Sequence, residues 1–263
     1  MIKRYFSLYK KFVATNIALM TTYRTIFYYN VLSSLLWGSF HFITMLLLTS
    51  QIESINGWSR VDLLVLTGAY SILWGLFHIF FTHNFERMSD TIFYGQLDSL
   101  LLKPADSQFL LSFWYINFPG LVRSAMGVLF IVYLTFQYHL QFQLINIISF
   151  VAILIFSLAL IYSIWYLLAT LLIWSPRLSN IIDFLYYVSG ILRYPADMYR
   201  PLNGVLFFFL IPLLIVITTP VKTLLNNIGY NEILLLITLS IFFVLLSRFF
   251  WKFALRSYTS ASG

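Results

Sequence analysis

The chain has 263 residues, of which 60% are apolar and only 10% charged, and its mean hydropathy is +0.86. Soluble chains carry roughly 45–50% apolar and about 25% charged residues, and a single small domain has no interior large enough for the excess, so a soluble fold is excluded. Net charge is +7, but the basic residues are scattered beside apolar runs, which reads as membrane orientation rather than nucleic-acid binding; the absence of cysteine removes disulfides, thiolate metal sites and cysteine nucleophiles.

Residues 2–24 place Ile2, Tyr5, Phe6, Tyr9, Phe12, Ile17 and Met20 at helical spacing, with Lys3, Arg4, Lys10 and Lys11 on the other face. A basic amphipathic helix leading into a span lies along the cytoplasmic interface, its lysines among anionic headgroups. No small-residue cleavage site follows Phe12–Met20, so it is not read as a signal peptide. A first span is predicted at about 30–49, a polar turn at 50–61 and a second span at about 62–83.

Residues 84–108, NFERMSDTIFYGQLDSLLLKPADSQ, are the longest charged passage in the chain. Asp90 is predicted to cap a short helical turn that Gly95 ends, after which Gln96–Leu102 forms a short amphipathic helix stopped by Lys103-Pro104. Such a helix, hung between two spans, is suited to press against a partner at the membrane surface. Asn117-Phe118-Pro119-Gly120 then divides the next apolar run into an interfacial helix at 107–117 and a span at 119–138. This puts Arg123 near the cytoplasmic face, where it can snorkel. If the span begins near 109 instead, Arg123 lies at mid-membrane, where an ionisable group is a functional candidate.

A fourth span is predicted at about 145–172, after a turn at 139–144. Residues 177–230 are irregular, with two apolar pieces, 178–193 and 204–219, and two arrangements are open. Either the first crosses and the second is a re-entrant hairpin broken by Pro212 and Pro220, or the first lies on the cytoplasmic face and the second crosses. Irregular backbone at membrane depth needs cover from protein or from a water-filled cavity, so this stretch lines something in either case. The last span is predicted at about 231–250. With six spans, eleven basic residues fall on the side of the termini, and two or four on the other (Arg60 and Lys222, with Arg193 and Arg200 in the re-entrant arrangement). Both termini and the 84–108 segment are therefore read as cytoplasmic.

The chemistry on offer is sparse. There is no phosphate loop, no His-Glu-x-x-His and no Gly-x-Ser-x-Gly. His41, His78, His83 and His139 are dispersed, and Asp90 and Asp98 read as capping and surface charge. Asp183 is read either as a coupling carboxylate or as a residue that pairs with an arginine or faces a cavity. A membrane enzyme would need a polar constellation that this sequence lacks. A secondary transporter would show paired broken helices in two halves, where only one broken stretch is found.

Gly95-Gln96-Leu97-Asp98-Ser99-Leu100-Leu101-Leu102-Lys103-Pro104 resembles the segment after the second span of type-2 ABC exporter permeases, closest to the single-domain, six-span bacterial branch. Ser189-Gly190-Ile191-Leu192-Arg193-Tyr194-Pro195 resembles that family's motif at the end of the fifth span. Ile211-Pro212 with Thr219-Pro220-Val221-Lys222-Thr223-Leu224-Leu225 resembles its re-entrant segment before the last span. One departure is Gln96, where the family often has Glu. The resemblance covers nearly the whole chain. It implies an all-α integral membrane fold of one transmembrane domain over 1–263. In it, 1–29 is an interfacial elbow helix, 84–108 a cytoplasmic coupling segment and 195–230 a re-entrant extracellular gate segment. It further implies a bacterial cytoplasmic membrane location, a second permease copy (identical or a paralogue), and a separate ATPase dimer that holds ATP and Mg, so that this chain carries no cofactor. By the same resemblance Gly95, Leu97, Asp98, Leu101, Lys103 and Pro104 form the ATPase contact, and Gly190, Pro195, Pro212 and Pro220 belong to the gate. The function expected is a permease subunit exporting an amphipathic drug-like or lipid-like substrate. The alternative is a non-transporting structural or assembly subunit, which would have no ATPase partner.

Overall fold

A 34-residue apolar helix, Arg60–Phe93, forms the central post of the computed structural model. The structure describes residues 2–259 apart from 52, 179, 200, 202, 203 and 228, and the side chains of Ile2, Arg177 and 205–209 are not among those described. The post consists of α3 (Arg60–Phe77), one π-helical turn (His78–Thr82) and α4 (His83–Phe93). Ser59 and Asp62 cap its start reciprocally, each side chain bonding the other's backbone N–H. At 1.5 Å per residue the post is roughly 50 Å long against a hydrocarbon layer of about 30 Å, so some 20 Å of helix stands beyond that layer. The helix therefore runs on past residue 83, where the second span was expected to end, and Asp90, expected to cap a separate turn, is inside α4.

Before the post come α1 (Ile2–Thr22), α2 (Arg24–Leu48) and a hairpin pairing Ser54–Ile55 with Trp58–Ser59. Asn56 and Gly57 turn the hairpin, both at positive φ (50° and 82°). After it come α5 (Leu97–Leu101), α6 (Ser107–Phe113), α7 (Pro119–Gln137) and α8 (Leu144–Thr170). The chain ends with α9 (Ile181–Val188), α10 (Gly204–Leu224) and α11 (Tyr230–Arg256). Among the described residues five helices are long and apolar enough to cross a membrane: α2, the post, α7, α8 with its short extension to Ile173, and α11. The protein is a multi-span, all-α membrane protein.

The post packs on α7 through glycines at heptad spacing. A Cβ on Gly75 would meet the Ser124 backbone nitrogen at 2.6 Å, and one on Gly127 would meet the Gly68 carbonyl oxygen at the same distance. The backbones thus touch, the usual solution where lipid supplies no hydrophobic force between helices. Ser71 Oγ donates to the Arg123 carbonyl (3.0 Å) and Ser124 Oγ to that of Ile72 (3.2 Å), locking the seam. On its other side the post carries an aromatic stack. Phe77 meets Trp165 at 4.9 Å, Phe81 meets Tyr162 at 4.7 Å, and Trp165 meets Tyr186 at 5.0 Å, mostly edge-on or tilted as ring quadrupoles favour.

The irregular stretch takes features of both arrangements left open by the sequence. Residues 176–197 run antiparallel to the post: Tyr186 bonds Glu86 (3.0 Å), Arg193 lies over Tyr70 (6.0 Å), and Asp197 accepts from Trp58 Nε1 (2.9 Å). This piece traverses the depth of the fold, but among its described residues only Ile181–Val188 is α-helical and Ser189–Arg193 tightens to 3-10. Residues 204–224, in one of the two arrangements a hairpin broken by Pro212 and Pro220, are one continuous helix with both prolines inside. A proline removes one backbone donor without forcing the chain to reverse, and neighbouring groups carry the helix through. The helix instead ends at Leu224, and the left-handed φ of 55° at Asn226 lets Asn227 N–H reach the Lys222 carbonyl (2.8 Å).

Candidate functional site

The far end of the post turns on Gly95. Its φ of 68° is left-handed, which lets Gln96 N–H bond the Thr91 carbonyl (2.8 Å) and Gly95 N–H that of Ile92 (3.2 Å), closing the last turn of α4. The single-turn helix α5 follows. Leu97, expected on a docking face, is fully buried with Leu100 beneath it, because the helix must cover the core below. What faces outward is Phe93, Tyr94, Leu101 and Leu102, the last 86% exposed. Asp98 is half-buried opposite Tyr258, just past α11; burial and then the Asp98 charge push that tyrosine hydroxyl above its ordinary value.

This tip is braced on three sides. Arg4 of α1 donates to the Pro104 carbonyl, and Tyr5 Oη accepts from Asp106 N–H (3.1 Å). The rings of Tyr5 and Phe12 pack on Phe109 and Trp114 (4.9 and 5.0 Å). The ammonium of Lys103 (4.4 Å) and the guanidinium of Arg87 (4.7 Å) both lie over the Trp114 ring. Asn84 exchanges two hydrogen bonds with the Tyr115 backbone (2.8 and 2.9 Å), and the π-turn offers the Ile79 carbonyl to Asn117 N–H (2.9 Å). Asp106 caps α6 through Phe109 N–H (3.0 Å) and pairs with Arg248 of α11. Burial raises the Asp106 carboxyl, but the Arg248 hydrogen bonds and the cap outweigh it and hold the group below its ordinary value. Arg248 also donates to Gln108 (3.0 Å) and Trp251 to Ser107 (3.0 Å), while Ser112 and Tyr162 of α8 share a hydrogen bond (2.7 Å).

At the opposite end of the post Lys222 pairs with Asp197 (3.4 Å) and Glu232 (3.1 Å) beside a 290 Å³ cavity under Trp58. Pro195 is buried, and the next residue, Ala196, donates its N–H to Thr218 Oγ1 (2.9 Å). Pro220 is buried and Pro212 half-buried within α10; Gly190 has open space where a Cβ would stand. Between the two ends a 330 Å³ cavity lies against the post. Its wall includes Trp37 and His41 of α2, Tyr70 and Trp74 of α3, Arg123 of α7, and Arg193. A 160 Å³ cavity adjoins it through Trp37 and Arg123. Arg123 lies in the second turn of α7, which begins at Pro119 as the first of its two placements has it, and its carbonyl meets Ser71, roughly 16 Å along α3 from Arg60. Asp183 is exposed on α9.

Sequence reasoning placed Gly95, Leu101, Lys103 and Pro104 at the tip but missed Phe93 and Tyr94, which the end of a longer α4 turns outward, and Leu102 just past α5. It also missed the meeting of Arg123 and Arg193, seventy positions apart. Among the described residues no three His, Asp or Glu side chains come together as a metal site. The sequence profile of one family, the ABC-2 family transporter proteins, matches residues 35–262. No curated protein matches the chain.

Proposed function

The chain belongs to the ABC-2 family of transporter proteins, and from that premise we propose that it is the permease subunit of an ATP-driven exporter, paired with a second permease copy and two copies of a separate ATPase. The observation that carries this reading is the exposed apolar tip Phe93, Tyr94, Leu101 and Leu102 at the end of a helix longer than an apolar layer requires. Exposed leucines and aromatics on a braced turn are costly in water and suit a partner's cleft. Because α4 continues α3, a push on the tip turns the post itself, and the Asp106–Arg248 and Ser112–Tyr162 contacts pass the same push to α11 and α8. Free energy of ATP binding then enters through contact, and the broken 176–197 crossing is the part able to yield.

Co-purification tests this. Wild-type chain drawn from its native membranes in mild detergent is expected to bring ATP hydrolysis with it. Leu101→Asp/Leu102→Asp is expected to lose that activity while keeping the same thermal midpoint, since both side chains point away from the core. Hydrolysis retained in full by the double variant would overturn the tip as the contact. No hydrolysis with wild type would favour the assembly-subunit alternative.

A further inference from the structure

The 330 Å³ cavity beside the post combines two cations with aromatic walls. Arg123 comes from α7 and Arg193 from the 3-10 turn after α9, while Tyr70, Trp74 and Tyr186 supply rings and His41 adds a buried Nε2 without a hydrogen-bond partner. Among the described residues neither guanidinium meets a carboxylate: Asp106, Glu232 and the described Asp197 contacts are taken by Arg248, Lys222 and Trp58, and Glu86 faces His83 and Tyr186. Ionisable groups that face a cavity between spans are functional candidates by default, and two like charges there call for an anion. Guanidinium is the group best shaped for a carboxylate, phosphate or sulfonate, and the volume lies in the range of small-molecule sites.

We propose that this cavity binds an anionic amphipath, its acidic group between Arg123 and Arg193 and its apolar body along Tyr70, Trp74 and Trp37. The proposal rests on the permease reading and names its substrate class: the cargo carries a negative charge, which narrows the drug-like or lipid-like amphipath expected from the resemblance. The same chemistry is offered by an acidic lipid of the bilayer and by a soluble amphipath.

Two fluorescent probes with the same aromatic body separate charge from shape: anilinonaphthalene sulfonate, an anion, and the uncharged N-phenylnaphthylamine. Each is titrated against full-length protein in phosphatidylcholine nanodiscs, with energy transfer from tryptophan as the signal, Trp37 and Trp74 being in the wall. Wild type is expected to hold the anion about tenfold tighter than the neutral probe. Arg123→Gln and Arg193→Gln are each expected to abolish that preference and leave neutral-probe binding unchanged, while Arg123→Lys keeps part of it. Arg193 is exposed, so its variant decides the matter even if Arg123→Gln does not fold. An anion preference unchanged in Arg193→Gln and Arg123→Lys, or absent in wild type, would overturn the proposal. Adding phosphatidylglycerol separates the sources, since displacement of the probe assigns the site to a bilayer lipid and retention assigns it to a soluble amphipath. Because no ATPase is needed, failure here leaves the permease reading standing, and failure of co-purification leaves this binding result standing.

Discussion

Two stretches cross the fold side by side in opposite directions and are built in opposite ways. The post, Arg60–Phe93, is continuous, mostly buried, and seated on α7 through bare glycine backbone. Among the described residues of 176–197 there is one short α-helix with 3-10 turns on either side, with Tyr187 83% exposed and nothing packed where Gly190 lacks a side chain. Regular hydrogen bonding and backbone contact make the first a lever; their absence makes the second a segment that can change shape without breaking a core. A transporter needs both, and the cation-lined cavity lies where they meet.

Substitutions can break that contrast, the largest effect being expected on the post. Gly75→Val places a side chain against the Ser124 backbone, which cannot retreat, and is expected to cost about 3 kcal/mol or more, read as a lower thermal midpoint and loss of folded protein in detergent. Asp106→Ala removes a helix cap and the Arg248 partner together, at about 1–2 kcal/mol by the same assay. The carboxyl of Asp106 sits below its ordinary value in the folded protein, so its contribution is complete above about pH 4 and is lost as pH falls through the folded value. Wild type is therefore expected to lose stability below about pH 4 more steeply than Asp106→Asn, followed by melting across a pH series. Gly190→Ala should give the smallest effect, a gain of about 0.5 kcal/mol from reduced freedom of the unfolded chain; a loss there would mean that the broken crossing is as tightly packed as the post.

What the sequence made legible was local. Pro119 after Asn117 marked the start of α7, Gly95 the end of α4, and Gln96–Leu102 the short helix, because each is written in neighbouring residues. The Asn56-Gly57 turn was also written there, though a hairpin was not read from it. The π-turn at 78–82 was not legible, since its apolar residues suit an α-helix equally well and the bond that accompanies it, Asn117 N–H to the Ile79 carbonyl, comes from a distant stretch. The prolines of α10 misled in the other direction: they signalled breaks, and the rest of the helix carried through them. The outward face of the tip depended on how far α4 ran, and the two cavity arginines on how the broken crossing lay against the post.

The central claim is that the tip of the post docks on an ATPase. The sequence has no cysteine, so one introduced thiol is unique. Leu102→Cys and Leu97→Cys, each labelled with a thiol-reactive photo-cross-linker in native membranes, give the most direct measurement. The account predicts that Leu102→Cys joins the chain to a polypeptide photolabelled by azido-ATP, in an amount that changes with added ATP, and that buried Leu97→Cys does not. Equal cross-linking from both positions, or a Leu102 adduct that never carries the nucleotide label, would contradict it.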